Sequence, residues 1–263
     1  MTRCLRTSDE QRPSPIDGNR TAAHVRSAPE GLSTAFRSTT SRSRGGPVPN
    51  GPLSLPARLC LLAWDTNRGE AAPPLVRAGA LAELAQRGLL IDDDGVATPV
   101  DLDSRTGDAA LDGLLELVSE SRPHHWRTWV TLRARHTYDA VREQLVAEGV
   151  LRAEKHRILG VFPSVEYVPA DAGRVRALRR QVRGILEGPV PPEDVPERDA
   201  AVVALGAAAG LKALLPGGAG PAWEHRVECL AARAAAPPTA GIIRELRTAL
   251  TTAAQTPPLP AGA

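Results

Sequence analysis

The chain has 263 residues, 42% of them hydrophobic and 24% charged, enough apolar side chain for one sizeable core and for no more than two domains. Net charge is only +2, and every cation but Lys155 and Lys212 is arginine, a bias that a GC-rich genome produces by itself. No apolar run reaches the roughly 18 residues a membrane-spanning helix needs, and the polar, arginine-dotted N-terminus lacks the apolar centre of a signal peptide, so a cytoplasmic location is expected. Cys4, Cys60 and Cys229 are scattered and odd in number, which suggests neither a disulfide framework nor a thiolate zinc site; Cys60 and Cys229 read as small core residues.

Residues 1–50 are rich in Ser, Thr, Pro and Arg without apolar periodicity. Ordering them would cost entropy that no burial offsets, so they read as a disordered segment; a translation start placed too early explains them equally well. The folded domain is expected to span 51–255, opening with Leu53, Leu55, Leu59, Cys60, Leu61, Leu62 and Trp64 and a polar turn over 65–69. Pro73 and Pro74 then open a helix where a missing N–H is harmless, with Leu75, Ala78, Leu81, Ala82, Leu84 and Ala85 inward and Gly88 at its end. An Asp-Gly pair, Asp94-Gly95, between the apolar runs 89–91 and 96–100 signals a β-hairpin.

A helix from about Asp108 buries Leu111, Leu114, Leu115 and Val118, and Trp126, Trp129 and Val130 mark a short one after Pro123. The next is expected over 137–148, with Val141, Leu145 and Val146 inward and Gly149 as its stop. Runs at Val150-Leu151, 158–162 and 165–168 form a second hairpin with an apolar tip. Asp171 caps an amphipathic helix to about Leu186. A Pro-rich linker at 188–196, a small-residue helix over about 198–215, a Pro/Gly break at 216–221, a segment at 223–235 and a last helix carrying Ile242, Ile243, Leu246 and Leu250 complete the pattern. The tail 256–263 is expected to fray. The fold class is therefore mainly α, a single helical domain with two or more short β-hairpins.

Motifs for chemistry are missing: there is no nucleophile elbow, zinc helix, Walker loop or dinucleotide fingerprint, and neither an enzyme nor a cofactor is expected. His124-His125 are adjacent, which on a helix points them about 100° apart, and no third ligand stands at metal spacing. The run Asp92-Asp93-Asp94 lacks the alternating oxygens of a calcium loop and fits a hairpin turn. The four tryptophans, Trp64, Trp126, Trp129 and Trp223, read as core anchors in a chain with 3% aromatic residues. At about 100° per residue, Arg176, Arg179, Arg180 and Arg183 share the face opposite Val175, Leu178, Val182, Ile185 and Leu186. That stripe is either a solvated face or a patch that attracts anions.

The ordered segments Leu-Pro-Ala-Arg-Leu-Cys-Leu-Leu-Ala-Trp-Asp (55–65), Val-Arg-Ala-Gly-Ala-Leu-Ala-Glu-Leu-Ala-Gln-Arg-Gly (76–88), Val-Arg-Glu-Gln-Leu-Val-Ala-Glu-Gly-Val-Leu-Arg-Ala-Glu-Lys (141–155) and Ile-Leu-Gly-Val-Phe-Pro (158–163) resemble the Golgi phosphoprotein 3 family, specifically its prokaryotic, actinobacterial-type members, from about Leu55 to Leu250. The resemblance implies a helical, peripheral membrane protein that binds phosphatidylinositol 4-phosphate through a tryptophan and three arginines. It also implies recognition of cytosolic tails of membrane proteins, with an apolar hairpin aiding membrane contact and self-association into a homo-oligomer.

Carried over residue by residue, Arg77 and Arg135 fall on two of the family arginines, Tyr138 stands at the third, and the tryptophan position falls near Arg68. Arg68 and Arg133 could add donors around a phosphate, and Leu159, Val161 and Phe162 would form the apolar tip. A lipid-binding member should expose Arg77 and Arg135 in one concave site. Two rival readings are a soluble scaffold for protein tails and a winged-helix DNA binder built on helix 137–148 or 74–88. Nucleic acid is the weaker partner, because Asp139, Glu143 and Glu148 offset Arg142 on the first of those helices.

Overall fold

The structure, a computed structural model, describes residues 52–64, 71–158, 162–211, 214, 220–237 and 239–255, without the side chains of 156–158, 162–164 and 240. The segment 1–50, the tail 256–263, Arg68, the side chain of Phe162, and Leu159 and Val161 all lie outside it.

Two helices that are apolar around their whole circumference make the centre, as such helices must. Helix α1 (Leu55–Ala63) is buried at every residue, and α2 (Ala72–Gln86) at all but two. Both carry proline in the first turn. Gly79 lets them close up: a Cβ there would stand 2.6 Å from Leu59 Cδ1 and 2.9 Å from Leu55 Cδ2. Glu83, itself buried on α2, accepts a 2.6 Å hydrogen bond from the Leu55 amide and so caps α1 from a neighbouring helix. Its other oxygen accepts from Arg87 at 2.5 Å and Arg198 at 2.7 Å, which compensates a carboxylate that burial would otherwise penalise.

The first hairpin pairs β1 (Leu90–Asp93) with β2 (Val96–Pro99), Asp93 opposite Val96. Its turn has Asp94 at φ 52° and Gly95 at φ 83°, the two left-handed positions that a tight hairpin turn demands. The Asp run also ties the next layer, since Trp126 Nε1 donates to Asp92 Oδ1 at 2.8 Å. Helix α3 (Ala109–Glu120) starts at Asp108, whose carboxylate accepts from the Ala110 and Leu111 amides. Helix α4 (Trp126–Thr131) buries both of its tryptophans.

Helix α5 (Ala134–Ala147) starts three residues before the expected 137, because extended Leu132 ends α4 and Arg133 at a left-handed φ of 50° redirects the chain at once. The second hairpin pairs β3 (Leu151–Ile158) with β4 (Phe162–Pro169) in antiparallel register from Leu151 opposite Pro169. Helix α6 (Ala172–Glu187) is capped by Asp171 and buries Val175, Leu178, Val182 and Leu186.

The remaining helices are α7 (Glu197–Ala208), α8 (Pro221–Ala234) and α9 (Ala240–Gln255). Two expectations need correction here. The stretch 188–196 is no loose linker: it holds a 3-10 turn at Pro192–Asp194, buries Val195, and accepts hydrogen bonds from Arg226 to Val190 O and from Arg233 to Val195 O. And α7 ends at Ala208 instead of about 215, where Gly210 at φ 65° turns the chain so that Leu211 and Leu214 fold back into the core. Helix α2 runs through the middle, packed by α1, α4, α5, α7 and α9. A helix so enclosed cannot enter a DNA groove, which removes one of the two winged-helix arrangements.

Candidate functional site

Helix α5 begins without a side-chain cap and with no acidic residue in its first turn. No side chain therefore caps its first amides, and the helix dipole adds partial positive charge at the same end. Arg133 and Arg135 flank that end, both exposed. Behind it lies Arg77.

Arg77 is 0% exposed on α2, and its Nη2 donates to the Arg133 carbonyl at 2.7 Å, an oxygen that also accepts from the His136 amide at 3.0 Å. Among the described residues the Arg77 Nε and Nη1 have no hydrogen-bond partner. Desolvation by burial pushes its pKa down to about 10, so it remains a cation at neutral pH and carries its charge into the interior without a carboxylate. The expectation that Arg77 and Arg135 are exposed in one concave site is not met. The left-handed turn at Arg133 closes over Arg77, while Arg135 stays 65% exposed at the surface.

The concave feature next to Arg135 is a pocket of about 300 Å³ between the end of α1, the outer face of α5 and the base of the second hairpin. Trp64 lines it. The residue is 41% exposed, and its Nε1 donates to the Tyr167 carbonyl at 2.7 Å. The reading of Trp64 as a core anchor is thus corrected: it follows the last turn of α1, where the chain leaves the core. Trp126 and Trp129 are core anchors as expected, and Trp223 is half-buried.

Arg142 sits over two aromatic rings, its guanidinium carbon 3.7 Å from the Tyr167 ring centroid and 4.8 Å from that of Tyr138. Such stacking holds a guanidinium plane in place and is worth roughly 0.5–2 kcal/mol. Asp139 accepts from Arg135 at 3.2 Å and from Arg142 at 3.4 Å, and Glu166 is a second carboxylate on the pocket lining. Burial pushes the Tyr138 hydroxyl pKa up. At the pocket floor, burial raises the Cys60 thiol to about 12 against a smaller opposing pull from Arg142, which keeps it neutral and unreactive.

Sequence reading found Arg135 and Tyr138 but treated Arg142 only as a balanced charge and passed over Tyr167. A signal existed for Arg142: positions 135, 138 and 142 share one helix face at spacings of three and four. For Trp64 and Tyr167 there was none, since only tertiary contact joins α1 to β4. Of the other candidates, Arg176, Arg180 and Arg183 are exposed on α6 and Arg179 is half-buried, with Arg183 3.9 Å from Glu187. His124 and His125 are structural. The first sets its ring edge-on to Trp129 at 5.4 Å, and the second lies 3.1 Å from the Gly95 carbonyl. Cys229 is only half-buried, 3.6 Å from His225 Nε2. Among the described residues no group of His, Cys, Asp and Glu could hold a metal, and no helix is long and apolar enough to cross a membrane.

Fold and pocket define a mainly helical domain in which an uncapped, arginine-flanked helix start adjoins an aromatic pocket at the base of a long β-hairpin. The chain belongs to the Golgi phosphoprotein 3 (GPP34) family, whose sequence model matches residues 55–250. No curated protein matches the chain.

Proposed function

We propose that this chain is a non-enzymatic, peripherally membrane-associated domain that holds an anionic phospholipid headgroup at the N-terminal end of α5. The observation that carries this reading is Arg77: a fully buried guanidinium with two donor nitrogens unmet among the described residues, set behind a helix start that has no side-chain cap and no acidic residue in its first turn. An isolated buried charge is costly, and an anion on the α5 amides would compensate it through a low-dielectric path while Arg133 and Arg135 close on it from outside. The headgroup the family resemblance implies is phosphatidylinositol 4-phosphate.

Stable attachment takes two signals. The electrostatic one includes the exposed arginines of α6, each worth about 1 kcal/mol beside an anionic bilayer; the apolar one is the connection between β3 and β4, with Leu159, Val161 and Phe162 in its sequence. The same family resemblance implies cytosolic protein tails and a second copy of the chain as further partners.

Co-sedimentation with phosphatidylcholine vesicles, with and without phosphatidylserine or phosphatidylinositol 4-phosphate, tests this. Binding only to the anionic vesicles is expected, weakened at least tenfold by Arg77→Met with Arg135→Ala, since the lost Arg135 contact alone costs roughly 1.5–3 kcal/mol. No binding to any vesicle would sink the membrane reading and leave a protein-tail scaffold.

A further inference from the structure

A second arginine-lined cavity, of about 530 Å³, lies between α1, α6 and the start of α7, and it shares no residue with the pocket around Trp64. Arg58 enters it from α1, Arg174 from α6 and Arg198 from α7, and Asp199 is the one carboxylate on its lining. The Arg58 side chain is only 9% exposed. Its Nη1 donates to Asp199 Oδ1 at 2.6 Å, while its buried Nη2 has no hydrogen-bond partner. Arg198 donates through Nη2 to Glu83 at 2.7 Å, and its buried Nε is likewise without a partner. The Arg174 side chain makes no ion pair among the described residues.

Buried donors are normally satisfied, so two arginines that line one cavity, each with a buried nitrogen unmet among the described residues, call for an explanation. Three cations against one lining carboxylate leave positive charge over, and forked N–H groups match a phosphate better than any other common anion. The rest of the lining is different in kind. Leu53, Leu178 and Pro196 are apolar, and the volume falls within the roughly 300–1,000 Å³ of small-molecule sites, which is more room than a bare ion uses. The exposed Arg176, Arg180 and Arg183 on the same helix α6 add a field that draws anions towards it.

We propose that this cavity binds a phosphomonoester, the phosphate on Arg58, Arg174 and Arg198 and the carbon skeleton against Leu53 and Leu178. Such a group could come from a soluble ester or from the headgroup of phosphatidic acid, and the experiment separates them. The full chain is titrated calorimetrically with glycerol 3-phosphate and with inorganic phosphate, and in parallel sedimented with phosphatidylcholine vesicles with and without phosphatidic acid.

Arg174→Ala is the main variant because it breaks no ion pair; Arg58→Lys keeps the charge at the buried position but removes the fork. Glycerol 3-phosphate is expected to bind more tightly than inorganic phosphate, to lose about tenfold in affinity with either variant, and to be unaffected by Arg77→Met with Arg135→Ala. Vesicle capture that depends on Arg174 assigns the source to lipid, whereas binding of the free ester alone assigns it to a soluble ligand. No binding of any probe, or affinities that both Arg174→Ala and Arg58→Lys leave unchanged, would overturn the proposal.

Discussion

Arg58 and Arg77 stand on neighbouring helices, each inside a run of Leu and Ala, and both are buried. Arg58 reaches Asp199 at 2.6 Å, whereas Arg77 reaches only the Arg133 carbonyl at 2.7 Å. The same side chain therefore does two jobs. On the α1 side most of the buried charge is used to join helices, through Asp199 on α7 and through Glu83, which gathers Arg87, Arg198 and the start of α1. On the α5 side Asp139 pairs with Arg135 and Arg142, but among the described residues no carboxylate reaches Arg77. A buried arginine signals function in proportion to what its surroundings fail to give it.

That contrast can be broken experimentally, most forcefully at Glu83. Glu83→Ala would strand the Leu55 amide and remove the carboxylate from Arg198, and it should cost about 3 kcal/mol or more, read as a lower urea midpoint without lipid. Next comes Arg58→Met, which leaves Asp199 alone in a partly buried place and should cost about 2 kcal/mol. Arg77→Met should have the opposite sign. It removes an uncompensated buried cation and should leave stability unchanged or raise it by about 1 kcal/mol, while vesicle binding falls. If Arg58→Met and Arg77→Met destabilise equally, the distinction between the two arginines is wrong.

The smallest effect is on the outer surface, where Arg247 donates to Glu228 at 2.5 Å. That hydrogen bond holds the Glu228 carboxyl below its usual pKa, burial opposing it more weakly. Because the folded pKa is depressed, the contribution is present above the unfolded value near 4.5 and is lost as pH falls through the folded one. Arg247→Ala should lower stability slightly at pH 7 and flatten the acid limb in that window, the two profiles converging below the folded pKa; an unaltered acid limb would show that the pair contributes nothing.

The helices whose apolar positions recur at three and four, α3, α6 and α9, were legible from residue pattern alone, as was the first hairpin from Asp94-Gly95. The candidate site was legible in part: Arg135 and Tyr138 came from family resemblance, and Arg142 was available from helical spacing. What misled was α5, whose start depends on a left-handed Arg133 that no propensity favours, and α7, whose alanine-rich run continues in sequence past the point where Gly210 turns it.

The sequence by itself determined most of the helices and the two hairpins, because periodicity, caps and turn residues act over a few neighbours. Only the tertiary structure decided that Arg77 is inside and Trp64 outside. Both lie at the same kind of position, a large side chain in an apolar run, and nothing local distinguishes them. Helix α2 is covered on every side by α1, α4, α5, α7 and α9, while α1 ends where its last turn clears the core. Burial is a property of what packs around a residue, and that is set by partners up to a hundred or more residues away along the chain.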